Sequence, residues 1–518
     1  SCRSTIIGGE NLTLYAKNDT VLVPNLRIDN VDNTPSVNRV LVIGPDGDVS
    51  YRCANTLGGG AGLYGTDNAQ YDSCNSNILG GYSNRICCGN ETTIVGGDHN
   101  YSNSAYSVIS GGRYNTTCGS RNANISGLQN SVINSYSSGI FSGGNSHISD
   151  SDYSGILSSL CSCIYGCGER SCNSVIMAGC CNVMNHGIYS STIVGGDYNI
   201  VQFYSGCSSI VGGCRNSICD GSYNSAIVAG QNNCVLDGSC KSSIIAGQNN
   251  EIYTSRSSSI VGGYGNCICQ NSNGSNITGG HYNAICVRSC NSGIFEGQNN
   301  FIEGYSCNST IDGGQNNRIC GFNSYCAPGY FYGSCNSNIT GGQDNQIFCS
   351  SRDSAILAGC YNRICDGSEK SAIVGGGWNK ICYSSKSTVV GGNNNHVCYH
   401  SDRSGVMSGR GNRIFDGSRY SAIVGGCDNR INYYSCQSVI VGGYDNCIVN
   451  NSEGAITLGG YGNCICNNSN YSLVSGYNNA IVDNSCESSV LGGCNNVICC
   501  SSRDSSIIGG RNNTCLLY

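Results

Sequence analysis

A chain of 518 residues with 75 glycines, 40 cysteines, only 4 prolines and 11% charged residues is neither an ordinary globular domain nor a disordered one, since disorder calls for high net charge or many breakers. The net charge of -6 comes with arginines spread about one per repeat, which leaves nucleic-acid binding without a basic face. No run of about 20 apolar residues occurs, so no membrane insertion is expected.

Residues 1–60 read as a small N-terminal β neck or connector module. Within them, the segment from Asn38 to Val49 carries Pro45-Asp46-Gly47, a tight-turn signal between alternating strands. The chain opens on Ser1-Cys2-Arg3 and reads as a processed or excised segment.

From residue 61 to 518 self-similarity dominates. Taking the first residue of each Gly-Gly-like pair as anchor gives 26 units between residues 80 and 509, and of the 25 intervals 15 are 17 residues and six are 16. A typical unit reads Ser208-Ser209-Ile210-Val211-Gly212-Gly213, then Asn216 and Ile218. The second glycine holds in 25 of 26 units, failing at Ser159, and the asparagine in 24, failing at Ser146 and Ser162. Units this short cannot hold a helical hairpin, which takes about 30 residues or more. Two short strands and two tight turns fit, with glycine supplying positive φ or close approach at one corner. The expected architecture is therefore all-β: a parallel β-solenoid of about 26 coils, stacked about 4.8 Å apart into a rod of roughly 120 Å.

Stacking places one asparagine per coil in a column: Asn182, Asn199, Asn216, Asn233, Asn250, Asn266, Asn283, Asn300, Asn317, Asn345, Asn362, Asn379, Asn395, Asn412, Asn429, Asn446, Asn463, Asn479, Asn496 and Asn513. Side-chain amides so stacked donate and accept along the column, as in the asparagine ladders of cross-β structures, and the column reads as structural. Each coil offers only two to four sizeable apolar side chains, so lateral association of several chains is a natural way to enlarge the core.

Stretches such as Ser371-Ala372-Ile373-Val374-Gly375-Gly376-Gly377-Trp378-Asn379-Lys380-Ile381 resemble the head repeats of trimeric autotransporter adhesins and related repeats in phage and giant-virus fibre proteins. The resemblance implies a left-handed β-roll and a homotrimer packed around a common axis. Residues 38–49 likewise look like the hairpin-bearing neck of trimeric viral and phage fibres. The longer period and the many cysteines depart from the family's usual repeats, and a viral fibre or processed surface filament fits better than a bacterial autotransporter.

Cysteines occupy two preferred slots, one directly after the Asn-x-Ile element and one six residues before a glycine pair. Like slots in neighbouring coils come within the Cα separation that a disulfide tolerates. Cys269 with Cys286, and Cys365 with Cys382, are candidate inter-coil bridges; Cys398 shares their slot. Cys286 with Cys290 is an alternative that closes a turn, links between chains are equally open, and some cysteines read as small buried thiols. Metal is the weakest reading, because paired C-x-x-C knuckles are absent. The local group His396, Cys398 and His400 reads as turn residues. No cofactor is expected.

Repetition supplies like groups in columns, whereas catalysis needs unlike groups that converge, so no enzyme is expected. The largest break in the period, between residues 313 and 341, carries an aromatic insertion at 320–336 with Phe322, Tyr325, Tyr330, Phe331 and Tyr332. Aromatic side chains on a projecting loop suit receptor or glycan contact, beside the alternative of a bulge pinned by cysteines. The functional expectation is a structural subunit of an extracellular or virion-surface fibre, with an adhesive or host-contact role. The competing one is a monomeric carbohydrate- or ice-binding solenoid, which calls for a flat column of threonines or aromatics.

Overall fold

The computed structural model describes residues 65–516 apart from 72, 74, 122, 167–170 and 322–332, together with four strands ahead of them. Thr5–Ile6 and Val21–Leu22 pair in parallel. Arg39–Ile43 and Val49–Cys53 form an antiparallel hairpin, with Ile43 opposite Val49 and Arg39 opposite Cys53, as the turn signal at residues 45–47 predicts.

The rest is a parallel β-solenoid, with no helix among the described residues. Two sheets run its length. The front sheet takes the strand before each glycine corner, 26 strands from Asn77–Ile78 to Ser506–Ile507; the back sheet takes the strand after each asparagine, 27 strands from Ala69–Tyr71 to Thr514–Leu516. Every strand pairs with its copy one coil on, so that Ile210 lies opposite Ile227 in the front sheet and Ile218 opposite Val235 in the back sheet. Between the sheets, the residue after each glycine corner makes a single bridge to its copy, as from Gln231 to Gln248 to Tyr264.

The strand period of two decides what points inward. In the coil that begins at Ser205, Ile210 of the front sheet and Ile218 of the back sheet are fully buried and face one another across the core. β-branched side chains suit this pleated, closely stacked surface. Ser205, Ser208 and Asn216 are also buried, so a coil's interior is two aliphatic side chains and three small polar ones. At the corners the backbone turns through left-handed residues: Gly212, Gly213, Arg215, Asp220, Gly221 and Asn224 all have φ between 56° and 80°. This region favours glycine and tolerates asparagine and aspartate, which accounts for the composition of the turns.

The long interval does not interrupt the stack. Thr310 pairs with Asn338 and Arg318 with Gln346, and the Asn345 amide N–H donates to Asn317 Oδ1 at 3.0 Å. The extra residues of the interval fall in sequence between Cys320, at the end of the back strand Arg318–Cys320, and Gly333. Phe322, Tyr325, Tyr330, Phe331 and Tyr332 lie outside the described residues.

Candidate functional site

The asparagines stack in one buried column, but their amides bond differently from the amide-to-amide expectation. Asn379 shows the common pattern. Its Oδ1 accepts the backbone N–H of Asn395 at 3.0 Å, and its Nδ2 donates to Gly375 O of its own corner at 3.2 Å and to Gly392 O of the next at 3.3 Å. Direct amide-to-amide bonds occur at only a few steps, as from Asn100 to Asn84 and from Asn463 to Asn446, both at 3.0 Å. The column thus ties side chain to backbone, pairing the asparagine N–H and the own-corner carbonyl and adding a second donor to the next corner's carbonyl, as at Gly392 O, which also accepts from Gly377 N–H at 3.0 Å.

At the two units without asparagine, serine carries the same acceptor function. Ser146 N–H donates to Asn130 Oδ1 at 3.0 Å, Ser162 N–H to Ser146 Oγ at 3.3 Å, and Asn182 N–H to Ser162 Oγ at 3.1 Å. Ser159, the one exception to the second glycine, belongs to this coil, and its hydroxyl lies 2.6 Å from that of Ser162. Where an asparagine is present, a Cβ on the second glycine meets it: at Gly213 it falls 2.4 Å from Asn216 Nδ2 and 2.3 Å from Gly230 O. Glycine and asparagine therefore form one steric unit, and the serine pair is its alternative.

Two further columns were not resolved from turn composition in the sequence. The opposite corner reads Ser-x-x-Ser, and both serines are buried in nearly every coil. Ser384 N–H donates to Ser368 Oγ and Ser387 N–H to Ser371 Oγ, both at 3.1 Å, while Ser371 Oγ donates to Ser384 O at 3.1 Å. The strict three-residue spacing of these serines is the signal that distinguishes them from ordinary turn residues.

The cysteine slots behave in two ways. Those six residues before a glycine pair donate to the corner carbonyl of the preceding coil: Cys240 to Gly221 O and Cys290 to Asn271 O, each at 3.2 Å, and Cys307 to Arg288 O at 3.1 Å. Cys290 is thus a thiol, and Cys286 is joined instead to Cys269, the two Cα atoms 4.8 Å apart. Cys365, Cys382 and Cys398 stack in register as buried thiols, with 3.0 Å between Sγ of Cys365 and Cys382. Cys382 Sγ also lies 2.7 Å from Asp366 Oδ2, and burial followed by that contact raises the Asp366 carboxyl to about 6. Phe348 and Phe415 pack into the same cluster. Cys398 therefore faces Cys382 rather than the neighbouring histidines; His396 bonds to Asn394 Oδ1 at 3.0 Å. Peptide mapping under non-reducing conditions is expected to recover Cys269 linked to Cys286, with Cys365, Cys382 and Cys398 alkylated only after unfolding. Rapid alkylation of that triad in the native protein would contradict its burial.

Outside the core, the two sheets present unlike faces. On the front sheet, the residue before the glycine corner is a large hydrophobic at least 37% exposed in 19 of the 26 coils. Leu357, Val374, Val390, Met407, Val424, Val441 and Leu458 occupy seven consecutive coils, beside outward residues such as Ala355, Ala372 and Ala422. On the back sheet, the residue after the asparagine is cationic or histidine in five consecutive coils: Arg363, Lys380, His396, Arg413 and Arg430 pair in register. Arginines look scattered along the chain; the coil period brings three of them, with Lys380 and His396, into one column. Burial, and then the Arg413 and Lys380 charges, hold the His396 pKa down at about 4.

No family model matches this chain, and no curated protein matches it.

Proposed function

We propose that the chain is the rod-forming structural subunit of an extracellular or virion-surface fibre, with an adhesive or host-contact role, and that three copies pack side by side through the front sheet. One observation carries the reading: the apolar column on the outer face of that sheet. A monomeric soluble protein rarely exposes a contiguous apolar patch beyond a few hundred Å², and this one continues coil after coil along the rod. A second copy of the same face is a fitting cover, because a column of small and aliphatic side chains at a fixed spacing is complementary to itself under rotation about an axis parallel to the rod. Association also enlarges a core that holds only two aliphatic side chains per coil.

The columns offer repeated like groups, and the reading is non-catalytic. An ice-binding alternative fits less well, since the exposed columns of the front sheet mix valine, leucine, isoleucine and methionine with alanine, glycine, serine and threonine in place of one threonine array. Light scattering on the native protein is expected to give three times the chain mass, with and without reductant. The pair Val374→Lys and Val390→Lys, which places two charges in the apolar column without touching the core, is expected to yield monomers that keep their β signal. A monomeric mass for the unaltered chain would sink the side-by-side reading.

A further inference from the structure

Like charges placed directly opposite in neighbouring strands destabilise a sheet, yet the back sheet sets Arg363, Lys380, His396, Arg413 and Arg430 in register at one-coil spacing. Among the described residues none of these five lies in an ion pair. Asp366, whose charge acts on Lys380, is itself engaged by the Cys382 thiol at 2.7 Å. Arg363, Arg413 and Arg430 are exposed, and Lys380 and His396 half-exposed. Burial first, and then the Arg413 and Lys380 charges on either side, hold the His396 pKa down. The fold does not require a cation at this position, since it holds Ser217, Cys234, Ala284 and Phe301 elsewhere in the rod.

Two residues upstream of the cations stand Tyr361 and Trp378, with rings stacked at 4.3 Å and 13° between planes. Trp378 is 54% exposed and is the single tryptophan of the chain. An exposed aromatic platform beside a row of cations can hold the apolar face of a sugar ring while the guanidinium groups pair with its anionic substituents. Four steps at about 4.8 Å extend the row over roughly 19 Å, long enough for several residues of a linear polymer.

We propose that the back sheet between residues 361 and 430 binds a linear sulfated glycan, its sulfate groups along Arg363, Lys380, Arg413 and Arg430 and a sugar ring against Trp378. This deepens the host-contact part of the proposed function and rests on it. It also agrees with the packing proposed above, which buries the front sheet and leaves the back sheet facing outward. Recognition then lies on a regular face of the rod, apart from the insertion at 320–336.

Trp378 supplies the readout. Titrating the native protein with heparin, as the sulfated probe, is expected to change its fluorescence saturably, with an affinity that falls by about one to two orders of magnitude between 50 and 200 mM salt. The double variant Arg413→Gln and Arg430→Gln is expected to bind at least ten-fold more weakly, and Arg288→Gln, at the opposite corner, to bind as the unaltered chain does. Absence of heparin binding at low salt, or equal binding by the double variant, overturns the site. Equal affinity for duplex DNA or for unsulfated hyaluronan overturns the assignment to sulfated glycan. Light scattering on the same samples separates the two readings: a trimer that ignores heparin removes this site alone, whereas a monomer that binds it removes the fibre packing.

Discussion

Gly213→Ala is expected to be among the most damaging single methyl additions in the rod, and Gly212→Ala among the mildest. Both residues have left-handed backbone, with φ of 80° and 72°, so both substitutions carry a strain of about 1–2 kcal/mol. They differ in what the new Cβ meets. At Gly212 nothing lies within 4 Å, while at Gly213 the Cβ falls 2.3 Å from Gly230 O and 2.4 Å from Asn216 Nδ2. The carbonyl belongs to the next coil's backbone and has nowhere to go, because that coil is fixed in turn by the one beyond. Overpacking of this kind adds about 1–3 kcal/mol, for a total of roughly 2–5 kcal/mol at Gly213. The chain carries its own control: Ala178, Ala229, Ala246 and Ala358 occupy the first position with φ of 60–63°, and alanine never occupies the second. Stacked repeats open locally, so a single global unfolding energy is a poor measure. Hydrogen exchange at the amides of residues 210–235 is the better one. Faster exchange there in Gly213→Ala, with little change in Gly212→Ala, is the expected result; equal protection in both would show that the second glycine is not sterically required.

How much of this was legible in the sequence depends on whether a feature lives in the period or in side-chain placement. The second glycine and the asparagine were visible as columns because each recurs at a fixed offset, and the solenoid follows from the unit's length. What the asparagine bonds to was not visible. A column of amides suggests amide-to-amide bonding, whereas the corner carbonyls of Gly375 and Gly392 lie close enough to capture Nδ2 of Asn379. The serine columns were obscured because Ser, Asn and Gly also make up ordinary turns, so the three-residue spacing of pairs such as Ser368 and Ser371, both buried, was lost in the turn composition. For the cysteines, the period brings like slots to bonding range, but it cannot distinguish Cys269 and Cys286, which are bridged, from Cys365 and Cys382, which stack as thiols. The cationic column shows the opposite failure. Counting arginines along the chain hides what the coil assembles, since residues 16 or 17 apart become nearest neighbours.

The largest polar effect is expected from Asn379→Asp, a change of one atom group with almost no change of shape. One carboxylate oxygen keeps the Oδ1 position and still accepts the Asn395 N–H, now 3.0 Å from Oδ1. The other replaces Nδ2 and faces Gly375 O and Gly392 O, 3.2 and 3.3 Å from that atom. Two donated hydrogen bonds become two contacts between oxygens, on a fully buried group, at a cost of about 3 kcal/mol or more. The sign of the pH dependence follows. Burial and the two carbonyls raise the folded-state pKa above the unfolded value of about 3.9. The destabilisation is therefore fully present above the folded pKa and shrinks as pH falls through it, because a protonated carboxyl again donates to one carbonyl. Asn379→Ser is expected to be milder, since a serine hydroxyl serves the same N–H at Ser162, where it accepts from Asn182. Hydrogen exchange across residues 362–395 checks both: protection lost in Asn379→Asp at neutral pH, partly regained on acidification, and largely kept in Asn379→Ser. If the aspartate variant were as well protected as the unaltered chain at neutral pH, the bonds from Nδ2 to the corner carbonyls would not be what locks one coil to the next.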